Sequence, residues 1–192
     1  MGTTRLEAFS DGVIAIIITI MVLELKVPDG TRFASLTPLV PAFASYVLSF
    51  VNLGIYWNNH HHMMQVTTHV DGAILWANLH LLFWLSLIPF ATKWMGENQF
   101  ATIPTATYGV VLLMSAIAYF ILAHAIINRE GPDSLLAKAV GHDSKGKTSM
   151  LLYAIAIPAA WISPWLSGIL FVAVAVMWLV PDRRIEKVLP AE

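Results

Sequence analysis

The chain has 192 residues, of which 57% are hydrophobic and 12% charged, against about 25% charged residues in an ordinary soluble domain. A soluble fold of this size cannot hide so much apolar surface, so lipid is the expected solvent, and a net charge of −1 offers no general pull toward nucleic acid. Cysteine is absent, which excludes disulfides, thiolate metal sites and cysteine nucleophiles.

A membrane-crossing helix needs about 20 largely apolar residues. The first predicted span runs from Leu6 to Leu25, and its apolar stretch from Gly12 to Leu23 is broken only by Thr19. Glu7 and Asp11 follow Arg5 too closely for a cleaved signal, so this helix is expected to stay in the mature protein. Pro28 and Gly30 end it. The second span runs from Leu36 to Trp57 and stops in a polar run of Asn58, Asn59 and three histidines. The third covers Ala73 to Trp94 and the fourth Pro104 to Ile127, followed by a polar loop from Asn128 to Thr148.

Two shorter apolar stretches, Met150 to Ile162 and Pro164 to Val180, are separated by Ser163. At about 1.5 Å per residue they are together too long for one crossing of a ~30 Å core, so they are read as two spans. The expected fold is all-α: one polytopic membrane domain over residues 1–192 with six transmembrane helices. A cytoplasmic N-terminus places Arg5, Arg129, Lys138, Lys145, Lys147, Arg183, Arg184 and Lys187 inside and only Lys26, Arg32 and Lys93 outside, as the positive-inside rule requires. Both termini are therefore expected in the cytoplasm.

The start of the first helix is unusually polar. Arg5, Ser10 and Asp11 sit where buried polar groups need partners. A helix cap with a snorkelling arginine accounts for them in isolation. Their order, Arg-x-x-x-Phe9-Ser10-Asp11 before an Ile/Leu-rich helix, resembles the signature of the lysosomal potassium channel family of transmembrane protein 175. Residues Arg5 to Leu25 carry the resemblance most strongly, and Asn78 to Phe90 carry it less specifically.

The resemblance implies a homotetramer with the first helix of each subunit lining a potassium-permeable pore, and no carbonyl filter of the ordinary kind. It places the constriction at Ile16, seven positions after Phe9. At 100° per residue, Ile20, Leu23 and Thr19 lie within about 60° of Ile16, with Phe9 and Gly12 on the same side. Ser10 and Asp11 point about 120–140° away. They are expected to bond to neighbouring helices, with Arg5, Asn78, His80 or Trp84 as candidate partners. Because residues 12 to 23 are apolar all round, periodicity alone chooses no face.

On this reading, rings of Ile16, Ile20 and Leu23 close the path by dewetting. Thr19 hydroxyls supply the side-chain oxygens for a modest preference for potassium over sodium, which holds its water more tightly. Glu24 and Asp29 near the outer mouth attract cations. Potassium is the permeant ion and no cofactor is expected. The animal members of the family carry two such units per chain, so this single unit points to a bacterial plasma membrane.

His60, His61 and His62, with His69 nearby, form the most conspicuous polar cluster. At 100° steps they splay around a helix, so they read as a polar helix end, a pH sensor or a weak candidate metal site. His80 is expected to bond Ser10 or Asp11, and His124 to make a structural hydrogen bond. Enzyme signatures are missing: there is no Gly-x-Ser-x-Gly, no His-Glu-x-x-His, no phosphate-binding glycine loop and no paired intramembrane acids. A secondary transporter and an intramembrane metal-binding protein using His60 to His62 are the alternatives to the channel.

Overall fold

The computed structural model describes residues 3–141 and 143–179. Its elements follow in the order α1 (Thr3–Leu23), a 3-10 helix (Phe33–Leu39), α2 (Val40–Gln65), α3 (Gly72–Ser86), α4 (Ile88–Glu97), α5 (Thr102–Glu130), α6 (Leu135–Val140), α7 (Ser144–Ile162) and α8 (Pro164–Leu179). No strand occurs among the described residues. In lipid a helix satisfies its own backbone polar groups, which makes this the expected solution.

Helix α1 packs on α2, α3 and α4, while α5 contacts α3, α4, α7 and α8 and so joins the two halves of the bundle. Ion pairs and hydrogen bonds mark its two ends. His61 meets Glu7, Thr68 meets Glu130 and Trp178 meets Ser149 at one end. Glu24 meets Lys93 and Lys26 meets Glu97 at the other.

Four segments are long and apolar enough to cross a membrane: Thr3–Leu23, Phe33–Gln65, Gly72–Glu97 and Thr102–Glu130. Helix α8 is apolar but only 16 residues long, and α7 begins on a Ser-Lys-Gly-Lys turn.

Several boundaries differ from the expected ones for identifiable reasons. Helix α2 continues eight residues past Trp57, because its polar residues find partners: Asn59 Nδ2 donates to Ile55 O, and His60 and His61 reach neighbouring helices. The third span is two helices meeting at Leu87. Pro89 has no N–H to donate and its ring crowds the preceding turn. Within the expected loop, Ser134 caps the short helix α6 by accepting from Ala137 N. Asp143 caps α7, which begins at Ser144, six residues before its expected start. Arg183, Arg184 and Lys187, counted toward orientation, lie outside the described residues.

The interior polar groups are chained. Thr92 Oγ1 donates to Ile88 O at 2.7 Å, so Ser49 Oγ donates to Thr92 at 2.7 Å and Tyr108 OH donates to Ser49 at 2.9 Å. This ties α2, α4 and α5 in a medium where unpaired polar groups are costly.

The same α2–α4 interface depends on Gly96. A Cβ there would stand 2.7 Å from Ala42 Cα, a backbone atom that cannot step aside. Gly96→Val should therefore destabilise the folded protein by about 1–3 kcal/mol, read as a lower thermal unfolding midpoint in detergent. Gly54→Ala, where an added Cβ meets nothing within 4 Å, should leave it unchanged.

Candidate functional site

Helix α1 is apolar along most of its length, yet it has two distinct sides. Leu6, Ser10, Ile14, Ile17 and Met21 are buried, a stripe at helical spacing. Phe9, Gly12, Ile16, Thr19, Ile20 and Leu23 are exposed, with Ile16 at 58% and Leu23 at 81%. A 21-residue apolar helix thus presents one large-hydrophobic face that the subunit itself does not cover.

A directed hydrogen-bond chain sets which side is buried. Ser10 Oγ donates to Leu6 O at 2.9 Å, so it accepts from Asn78 Nδ2, also at 2.9 Å. Asn78 Oδ1 is then the acceptor for His60 Nε2 at 2.8 Å, which makes Nε2 the protonated nitrogen of that ring. Ser10, Asn78 and His60 are fully buried. The chain joins α1, α3 and α2.

A second set of contacts lies beside it. Trp57 Nε1 donates to Asp11 Oδ1 at 3.0 Å, and His61 Nδ1 pairs with Glu7 Oε1 at 2.8 Å. The rings of Trp57 and His61 stack at 6.1 Å and 18°. Glu7 and Asp11 are four apart on α1, and Trp57 and His61 four apart on α2, so each pair occupies one face of its helix.

Two candidate partners fall elsewhere. His80 does not bond Ser10 or Asp11; its Nε2 accepts from Trp84 Nε1 at 3.0 Å within α3. Four residues apart, these two satisfy each other on one helix face. Arg5 is exposed at the first turn and stands outside the chain.

The three histidines take separate partners, since His62 Nδ1 meets Gln65 Oε1 at 3.3 Å. Among the described residues no three metal-binding side chains converge. His124 Nδ1 donates to Phe120 O at 2.9 Å.

At the opposite end, Glu24 is ion-paired with Lys93, and Lys26 with Glu97 at 2.9 Å. Glu24 therefore does not present a free negative charge, whereas Asp29 is exposed. Thr19 Oγ1 donates to Ile16 O at 2.9 Å, which leaves its oxygen lone pairs on the exposed face.

Sequence reasoning passed over Glu7 and Trp57. Their signal was the shared four-residue spacing of Glu7/Asp11 and Trp57/His61 on adjoining helices.

This arrangement is that of a polytopic α-helical membrane protein whose first helix is anchored by polar contacts and exposed on an apolar face. A sequence model of the endosomal/lysosomal potassium channel TMEM175 family matches residues 5–89. A potassium channel of Chryseobacterium sp. (strain P1-3) is 56% identical over 187 residues, covering 97% of each chain. One from Chamaesiphon minutus is 35% identical over 88% of this chain and 90% of its own. The crystal structure of a lysosomal potassium-selective channel TMEM175 homologue from Chamaesiphon minutus superposes with a TM-score of 0.80 at 30% identity, over 94% of this chain and 97% of that one. The chain belongs to the TMEM175 potassium channel family.

The anchors differ in burial, and their removal should differ in cost. Asn78→Leu strands the buried His60 Nε2–H and should destabilise by about 1–3 kcal/mol. Trp57→Phe keeps the ring over His61 and removes one half-exposed bond, for about 1 kcal/mol or less. Thermal unfolding of the purified protein gives the order, and a larger loss in Trp57→Phe would contradict the ranking by burial.

Proposed function

We propose that this chain forms a potassium-permeable channel in which four copies surround a pore lined by α1. The observation that carries the reading is the uncovered face of Phe9, Ile16, Thr19, Ile20 and Leu23 on a helix whose other side is anchored. One apolar helix cannot enclose a pore, so several copies must. The kinship with potassium channels, among them the potassium-selective Chamaesiphon homologue of the same fold, supports the ion.

Ile16 forms the narrowest ring, with Ile20 and Leu23 beyond it. A greasy constriction excludes water when narrow and passes a partly dehydrated cation when wider. Sodium holds its hydration shell more tightly than potassium, so the passage penalises sodium more, and the Thr19 oxygens offer modest compensation to the larger ion. No cofactor takes part.

The proposed topology has six crossings, with α7 and α8 as the last two. Both termini face the cytoplasm of a plasma membrane. Arg5, Arg129 and Lys145 then lie on the inner side and Lys26, Arg32 and Lys93 on the outer, as the positive-inside rule favours.

Flux in liposomes tests the pore. Wild-type protein should carry potassium faster than sodium, and Ile16→Asn should wet the constriction and raise the flux. Unchanged flux in that variant would remove Ile16 as the constriction. Charge at the outer mouth gives an independent check. Lys93→Ala frees Glu24 and should raise potassium conductance about twofold at ~0.01 M salt, with the gain vanishing at ~1 M as screening shortens to ~3 Å.

A further inference from the structure

A cavity of about 60 Å³ lies between α2, α5, α7 and α8, at the end of the bundle that holds Glu7 and Glu130. It has room for several waters or one compact organic ion. No residue of α1 lines it. Tyr56, Tyr119, Tyr153 and Trp178 all contribute rings to its walls, and Tyr56 and Tyr119 meet edge-on at 6.1 Å and 64°. The polar contributions include the Asn59 amide and the Asp143 carboxylate.

We propose that this cavity is a binding site for a small organic ammonium group, separate from the ion pathway.

Three features set the ligand class. First, the charge is one-sided. Asp143 lines the cavity, and among the described residues no lysine, arginine or histidine does, so a cation is favoured over an anion.

Second, the remaining surface suits an organic cation better than a metal ion. Metal cations of the alkaline-earth type demand about six oxygen ligands, whereas this lining is mostly aromatic and aliphatic carbon. The faces of tyrosine and tryptophan rings attract ammonium groups. Lys145 Nζ already lies 5.8 Å from the Trp178 ring centroid, although Lys145 does not line the cavity.

Third, the site has unused hydrogen-bonding capacity. Tyr119 OH donates to Asn59 O at 3.3 Å, and Asn59 Nδ2 donates to Ile55 O, which leaves Asn59 Oδ1 as an acceptor. The hydroxyls of Tyr56 and of Tyr153, a residue only 2% exposed, bond to no partner among the described residues. Asp143 Oδ1 accepts from Gly146 N at 3.1 Å, and Oδ2 has no other donor among the described residues.

The ammonium can come from a lipid headgroup, such as phosphatidylethanolamine, or from a free amine. Tetramethylammonium chloride is the probe, titrated onto the purified full-length protein. Thermal unfolding is followed together with tryptophan fluorescence, to which Trp178 contributes, and potassium chloride of equal ionic strength is the control.

Wild-type protein should show saturable stabilisation beyond the control. Asp143→Asn should weaken the apparent affinity about tenfold; asparagine caps helices as well as aspartate and tolerates the left-handed backbone (φ 38°) at this position, so the fold is kept. Tyr56→Leu should weaken it as much, and Tyr56→Phe, which keeps the ring, much less. Native mass spectrometry after extraction from phosphatidylethanolamine or phosphatidylglycerol membranes separates the sources. Retained phosphatidylethanolamine that Asp143→Asn loses assigns the headgroup, and saturation by the probe without retained lipid assigns a free amine. Stabilisation matched by potassium chloride, or equal in wild type, Asp143→Asn and Tyr56→Leu, overturns the proposal.

Discussion

A polar side chain inside an apolar helix bundle must find a partner in the protein, because the surrounding lipid offers none. In this chain the constraint falls most heavily on Ser10. Its hydroxyl is fully buried: the proton goes to Leu6 O within α1, and the oxygen accepts from Asn78 only when α1 is turned so that the amide can reach it. A rotation of α1 by one residue moves each side chain by 100°. That would carry Ser10 away and leave the buried Asn78 Nδ2–H without its acceptor. One buried hydrogen bond therefore fixes which side of a nearly uniform helix faces the core, and by subtraction which side is left uncovered.

The flanking contacts strengthen that choice at lower cost. Asp11 and Glu7 are on the partly exposed shoulder of α1, where their carboxylates meet Trp57 and His61 without full desolvation. Burying two unpaired carboxylates in the same place would cost several kcal/mol each. A neutral buried chain combined with a half-exposed charged shoulder gives register without that penalty. Just past the end of α1, Glu24 is paired with Lys93, so the helix is held at both ends.

The helical class and the first four apolar segments were legible because composition and run length report burial in lipid directly. The offset of Ser10 from Ile16 was legible too, since helical geometry needs only counting. Partner identity was not. Asn78 stood among several candidates, and nothing in one strand of sequence says that His80 would turn to Trp84 while His60, on another helix, completed the chain. The kink at Leu87 was signalled by Pro89 but hidden by a continuous apolar run. The extension of α2 to Gln65 was masked because asparagine and histidine read as a helix end when their partners are out of view. The cavity among α2, α5, α7 and α8 was out of reach altogether, since it needs residues from four separated segments.

That kink has a consequence for assembly. Where α3 gives way to α4, Pro89, Phe90 and Lys93 stand beside Ile16, Ile17 and Ile20, and a groove of about 610 Å³ lies between them. The helix is interrupted at Leu87, two residues before Pro89, and Phe90 remains 61% exposed on the groove. In the proposed tetramer, the uncovered side of α1 needs apolar surface from neighbouring subunits as well as a pore to face. The groove supplies such surface next to Ile16 and Ile20. The same proline that interrupts the third span thus lies in the wall of the groove beside the proposed constriction, while Ser10 and Asn78 anchor the opposite side of α1.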